Sequence, residues 1–141
     1  MPLLRFRTGD IAAKIVEPCQ CGRNSYRLTP ILGRKHNMLK IKGTTIYPPA
    51  INDVLDNSEE VMNYVVVART SDTGMDSVLV RIGLKKTAAD KEALIKELKD
   101  RFRARLRVTP NIEILPADVI AQINFPSKSR KPIKFIDERG H

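Results

Sequence analysis

Val61-Met62-Asn63-Tyr64-Val65-Val66-Val67-Ala68 is a run dominated by valine and tyrosine, which is the composition of a β-strand. Turn-forming residues follow at 71–75, and Val78–Leu84 then returns to the same apolar composition. Two such runs joined by a short turn predict a β-hairpin. We therefore expect residues 61–84 to contribute two paired strands to a sheet.

Helical patterns lie on both sides of this hairpin. Pro48 and Pro49 suit the first turn of a helix, and apolar residues then follow at spacings of three and four. A longer helix is predicted to begin at a capping box, Thr87–Asp90, with Thr87 as the capping residue, and to run to about Arg107. The apolar stripe of this second helix consists of Leu94, Ile95, Leu98, Phe102 and Leu106.

The remaining segments complete the pattern of a small α+β fold. Residues 38–42 alternate between apolar and polar, which predicts a further hairpin with Gly43 at its tip. Short strands are expected at 112–115 and 133–136, with a loop of uncertain form at 116–126. This order of elements predicts one mostly antiparallel sheet with helices packed on one face.

The N-terminal residues differ from the rest. Two extended pieces, 4–16 and 26–34, flank a loop at 18–24, and nothing before residue 36 is long enough to fold alone. We therefore place a boundary there, so that 36–141 is the folding unit and 1–35 is a hinge-side extended segment belonging to a larger domain.

The composition limits the classes of function that are possible but does not select one. The chain has 141 residues, 42% of them hydrophobic, and a net charge of +9. A basic domain suits either nucleic acid or an anionic ligand such as ATP or coenzyme A. No apolar run approaches the roughly 20 residues that cross a bilayer, and no signal peptide is visible. We expect a cytoplasmic protein with no membrane partner.

Two segments at opposite ends of the chain carry a resemblance. The first comprises Arg5–Asp10 and Gly33–Gly43, and the second is Ser127–Arg139. In this order and separation they resemble the closing part of an AMP-forming acyl-CoA ligase, in the phenylacetate-CoA ligase branch of the adenylate-forming enzymes. The resemblance implies that 36–141 is a mobile C-terminal lid and that 1–35 is the end of an absent N-terminal ATP-binding domain.

The resemblance implies roles for several residues near the boundary. Asp10 would bind the ribose hydroxyls of ATP, and Arg34 would contact the ribose or a phosphate. His36 stands at the hinge, where most relatives carry Asp or Lys. The hairpin residues Lys42, Gly43 and Thr44 would face coenzyme A in the thioester step. This chain also departs from its relatives in having Tyr47 for Phe and Asn52 for Glu.

The C-terminal segment resembles the lysine loop of the same enzymes, which closes on Asp-x-Arg. Counting back from Asp137 and Arg139 places the catalytic lysine at Lys131. Arg130 stands where glycine is usual, so Lys128 and Lys134 remain rivals. The implied substrates are ATP with Mg²⁺, coenzyme A and a carboxylic acid such as phenylacetate. The implied partner is the protein's own N-terminal domain, and no nucleic acid is expected.

Two alternatives and one metal question stay open. A basic sheet could bind RNA, and the same fold could serve as a non-catalytic ligand-binding regulatory domain. Cys19 and Cys21 are separated by one residue, and a structural zinc site needs four ligands. A metal site within this chain is therefore not expected, although the two cysteines could form half of a site completed by another domain.

Overall fold

The computed structural model describes residues 7–71, 74–85, 90–126 and 131–139. Its N-terminal part contains four strands of two residues each. They are β1 (Asp10–Ile11), β2 (Lys14–Ile15), β3 (Arg27–Leu28) and β4 (Gly33–Arg34). Strand β1 pairs antiparallel with β4, and β2 pairs antiparallel with β3. The sequence is extended at these places, as expected.

A hairpin follows after one short turn. The 3₁₀ turn Lys35–Asn37 leads into β5 (Leu39–Ile41), which pairs antiparallel with β6 (Thr44–Ile46). The two connecting residues, Lys42 and Gly43, both have positive φ, at 47° and 80°. Positive φ at both positions is the geometry of a tight two-residue hairpin turn, so the predicted hairpin with Gly43 at its tip is confirmed.

The helix and strand predictions in the middle of the chain are also confirmed. Helix α1 (Pro48–Asp56) has its two prolines in the first turn and buries Ile51, Val54 and Leu55. Strands β7 (Val61–Thr70) and β8 (Asp76–Leu84) pair antiparallel along most of their length.

Helix α2 (Lys91–Leu106) begins with a different cap from the one predicted. Asp90 is the N-cap, and its carboxylate accepts hydrogen bonds from the backbone N–H groups of Glu92 and Ala93, both at 3.0 Å. The predicted cap Thr87 lies outside the described residues. A carboxylate at the N-terminus also interacts favourably with the helix dipole.

The last part of the chain completes the sheet. Strand β9 (Asn111–Ile114) runs parallel to β8, and β10 (Phe135–Asp137) runs parallel to β7. The main sheet therefore has four strands, in the order β10-β7-β8-β9. Helix α3 (Ala117–Asn124) occupies the stretch for which the sequence predicted only a loop, and that prediction was wrong.

Helices cover both faces of this sheet. Tyr64, Val66 and Ala68 of β7 belong to one core cluster with α1 and α2. Val65 and Val67 alternate with them, are fully buried and point to the opposite face. Helix α3 packs on that face, where Asn63 Nδ2 donates to the Ala117 carbonyl at 2.7 Å. The predicted α+β class is confirmed, but the expectation that helices pack on one face only was wrong, because α3 covers the second face.

No helix among the described residues is long and apolar enough to cross a membrane.

Candidate functional site

Asp10 and Arg34 lie side by side although 24 positions separate them in the sequence. The β1–β4 register places Asp10 opposite Arg34, and Arg34 Nε lies 3.4 Å from Asp10 Oδ1. The Asp10 side chain is 27% exposed and the Arg34 side chain 69% exposed. A carboxylate and a guanidinium together at an open edge offer both an acceptor and a forked donor to a polar ligand.

The predicted hinge lies beside this pair. His36 is exposed in the 3₁₀ turn, and the Lys35 N–H donates to the Gly9 carbonyl at 2.8 Å. Gly33 is buried against Tyr47, because a Cβ at position 33 would lie 2.7 Å from Tyr47 Cδ1. Only glycine permits this approach of the backbone to the aromatic ring. Residues on either side of His36 are therefore in contact.

The tip of the β5–β6 hairpin is presented to solvent. Lys42 and Gly43 are exposed and Thr44 is partly buried, while the apolar side chains of both strands point inward. A Cβ added at Gly43 would meet no atom within 4 Å. The positive φ of this residue, and not crowding within the chain, is what favours glycine here.

Lys131 is exposed in a bend four residues before β10. Its rival Lys128 and the neighbouring Arg130 lie outside the described residues. The hairpin packs toward β8, whereas β10 is the strand at the other side of β7. The lysine and the hairpin tip are thus presented from different elements of the domain.

The second rival, Lys134, is held within the domain. Its Nζ donates to Asp56 Oδ1 and to the Tyr64 hydroxyl, both at 3.0 Å, and the Tyr64 hydroxyl donates to Asp56 Oδ1 at 2.8 Å. Burial raises the pKa of Tyr64 to about 12. Burial alone would lower the pKa of Lys134, but the hydrogen bonds to Tyr64 and Asp56 outweigh it and raise the pKa.

Arg139 is the residue whose part in the site the sequence did not reveal. It entered the sequence analysis only as the end of the Asp-x-Arg signature. In the structure its side chain is 6% exposed, and its hydrogen bond to Asp137 raises its pKa. Apart from Asp137, two residues before it, no sequence signal identifies its partners, because they come from two distant segments, Asp76 and residues 36–38.

Cys19 and Cys21 lie close together but do not form a disulfide. Their Sγ atoms lie 2.9 Å apart, and both are free thiols. The hydrogen bond with Cys19, followed by that from the Arg23 backbone, lowers the pKa of Cys21. Within the part of the chain that the structure describes, no group of three or more metal-binding side chains comes together.

The sheet does not offer the surface that an RNA-binding module uses. Such modules stack bases on aromatic side chains of an open sheet face. Here α1 and α2 cover one face and α3 covers the other, and Tyr64 is 4% exposed.

Comparison with known proteins places this fold among the C-terminal domains of AMP-binding enzymes. The family described as AMP-binding enzyme C-terminal domain matches residues 43–139, more than half of the chain. The chain therefore belongs to this family, and its curated relatives include phenylacetate-coenzyme A ligases.

Two curated relatives and one solved structure illustrate the match. A phenylacetate-coenzyme A ligase from Thermus thermophilus is 45% identical over 74 residues, covering 52% of this chain and 17% of the relative. One from Aromatoleum evansii is 24% identical over 136 residues, covering 92% of this chain and 30% of the relative. A 2-hydroxyisobutyryl-CoA ligase, crystallised with 2-HIB-AMP and CoA, superposes with a TM-score of 0.58 at 28% identity, covering 93% of this chain and 28% of that one. The chain thus spans less than a third of these proteins.

Proposed function

We propose that this chain is the C-terminal lid of an ATP-dependent, AMP-forming acid-CoA ligase that acts on phenylacetate or a similar aryl acid. In the first half-reaction, the acid's carboxylate attacks the α-phosphate of ATP, giving an acyl-adenylate and pyrophosphate. In the second, the thiol of coenzyme A displaces AMP. The aryl acid follows from the names of the curated relatives, which are phenylacetate-coenzyme A ligases.

The place of Lys131 in the C-terminal segment carries the assignment of the catalytic residue. Counting back from Asp137 and Arg139 leads to Lys131, and its side chain is exposed. Lys134, three residues later, is held by hydrogen bonds to Asp56 and Tyr64. We assign Lys131 to the adenylation step, where its ammonium group would balance charge on the α-phosphate and the attacking carboxylate. Asp10 and Arg34 would bind the ribose side of ATP, which enters with Mg²⁺.

The turn of the β5–β6 hairpin would serve the thioester step. Lys42 and Gly43 are exposed, Thr44 beside them is partly buried, and the space around Gly43 is open. An extended pantetheine arm could therefore pass close to the backbone at this point. Rotation of the lid about His36 would exchange Lys131 for this turn, and lid rotation of this kind commonly gates enzyme steps.

We further propose that residues 1–35 belong to the ATP-binding domain and 36–141 to the lid. Large apolar side chains stand exposed in the first of these parts: Val16 (82%), Tyr26 (78%), Leu28 (67%), Ile31 (62%) and Leu32 (49%). Such a group of exposed apolar residues is typical of a surface that packs against another domain. The free thiols of Cys19 and Cys21 suit the reducing cytoplasm as the place of action.

The test uses the ligase that contains this chain. We expect AMP formation from ATP to depend on both coenzyme A and an arylacetate, with phenylacetate preferred to benzoate and acetate. The 141-residue chain alone should release no pyrophosphate, since it encodes no phosphate-binding loop. If the ligase formed no AMP with any acid, or if the chain alone were active, the proposal would be wrong.

A further inference from the structure

The guanidinium group of Arg139 forms an ion-pair network at the end of β10. Its Nε donates to Asp137 Oδ1 at 2.8 Å, and its Nη2 donates to Asp137 Oδ2 at 2.6 Å. On the other side, Nη1 donates to Asp76 Oδ2 at 3.0 Å. Two carboxylates from different strands therefore hold one buried cation in a fixed plane.

The same group also binds the main chain of the hinge segment. Nη1 donates to the Met38 carbonyl at 2.9 Å, and Nη2 donates to the His36 carbonyl at 3.2 Å. Asp76 Oδ2 adds a third link, since it accepts from the Lys40 N–H at 2.7 Å. With these contacts every N–H donor of the guanidinium has a partner.

This connection joins parts that are far apart in sequence. Arg139 follows the strand that Lys131 leads into, and it lies 103 positions from His36. Because the carbonyl oxygens of His36 and Met38 are both bound, the peptide units that follow these two residues cannot turn without breaking hydrogen bonds to a buried charge. Breaking such bonds is costly in a site shielded from water.

We propose that Arg139 is a positioning residue that fixes the backbone from the His36 carbonyl onward to the lid, so that lid rotation takes place at His36 and the residues before it. The role rests on the proposed function, since only a rotating lid needs a fixed pivot. A hinge works by confining large φ and ψ changes to a few residues. Without the clamp, the torsions of Asn37 and Met38 would also vary, and the lid would reach each working orientation less often.

The first experiment measures the clamp itself and needs no catalysis. Backbone amide hydrogen exchange is compared between the wild-type chain and Arg139→Lys, which keeps the charge but not the planar fork. We expect exchange at residues 37–40 to accelerate by about tenfold, while α2 exchanges as before. Unchanged exchange at 37–40 would overturn the proposal.

The second experiment measures the two half-reactions in the ligase that contains this chain. Arg139→Lys should lower the kcat of adenylation and of thioester formation by about tenfold each. The KM values for ATP and acid should stay within about twofold, because those ligands bind to the other domain. The Tm and the folded fraction are measured alongside, so that loss of folded enzyme is not mistaken for loss of positioning.

A matched control is available in β7, where Arg69 pairs with Glu138, the residue before Arg139. Arg69→Lys alters an arginine whose Nε contacts Glu138 at 2.7 Å, but both of these side chains are more than 40% exposed. We expect no change in exchange at 37–40 or in either kcat. If Arg139→Lys behaved like this control while Lys131→Ala still slowed adenylation, the clamp would be refuted and the proposed function would stand. If none of Lys128→Ala, Lys131→Ala and Lys134→Ala slowed adenylation, the proposed function itself would fail.

Discussion

The β5–β6 hairpin and residues 131–139, here called the lysine segment, are held in place by different forces. Leu39, Ile41 and Ile46 bury the hairpin through apolar contact, with exposures of 0%, 6% and 4%. The lysine segment joins the sheet through β10, and two charged side chains anchor it there, Lys134 before β10 and Arg139 after it. Apolar contact is non-directional, whereas ion pairs and hydrogen bonds depend on geometry.

This difference predicts how each region responds to substitution. Changes in the hairpin's apolar residues should lower stability first, because they remove buried area or leave a cavity. Changes at Lys131 and Lys134 should cost little stability, because Lys131 is exposed and the half-exposed ion pair of Lys134 contributes little to folding. The following predictions test this contrast in order of decreasing effect.

Lys131→Ala should have the largest effect on catalysis. Pre-placed charge aimed at a developing anion contributes about 3–4 kcal/mol, so adenylation should slow by a few hundredfold. Thioester formation from pre-made acyl-adenylate should be almost unchanged, and separate assays of the two half-reactions check this. Lys128→Ala should be mild. If Lys128→Ala were the crippling change, the lysine assignment would be wrong and the family would still hold.

Leu39→Ala should have the largest effect on stability. Truncating this fully buried side chain leaves a cavity, and the free energy of unfolding should fall by about 3 kcal/mol. Urea unfolding of the chain measures the change. The control is Leu28→Ala, a leucine that is 67% exposed, for which we expect less than about 0.5 kcal/mol. Equal losses for the two variants would contradict the apolar account of the hairpin.

Gly43→Ala should separate the turn's chemistry from its backbone strain. An L-residue at φ 80° is strained, and its methyl group would stand where coenzyme A is proposed to pass, so thioester formation should slow by about tenfold. Gly74→Ala has similar strain at φ 75°, also with open space around the added carbon. This control should lose similar stability and keep the thioester step. If both variants slowed it equally, the turn would have no specific part.

Lys134→Ala should have the smallest effect. Its ion pair with Asp56 is half-exposed, with side-chain exposures of 40% and 53%, so the unfolding free energy should fall by about 1 kcal/mol or less. Adenylation should fall no more than about threefold, because the lysine anchors the segment and does not reach the reacting atoms. A loss comparable to that of Lys131→Ala would move the catalytic role to Lys134.

The sequence predicted those parts of the fold that depend on local pattern. The stripe around Leu98 and Phe102, the prolines that open α1 and the turn at Gly43 are all readable from neighbouring residues. Helix α3 was missed because it has only eight residues, follows Pro116 without a side-chain cap and fully buries a single large apolar residue, Ile120. The apolar residues of this short segment repeat too few times for their spacing to distinguish a helix from a loop.

The candidate site was predictable only where the family resemblance supplied the residues. Asp10 and Arg34 were singled out separately, and the structure pairs them. The partners of Lys134 and Arg139 could not be read from the sequence, since Asp56, Asp76 and the hinge carbonyls lie 63 to 103 positions away from them. Such networks form only after the chain has folded, so they leave no local signal.

The close packing of Gly33 against Tyr47 has a further consequence. These residues lie on opposite sides of His36, so the proposed rotation of the lid about that residue would change the distance between them. Their separation would then serve as a reaction coordinate for the proposed domain motion. A pair of small spectroscopic labels placed beside these two positions would register every opening and closing event as a change in a single measured distance.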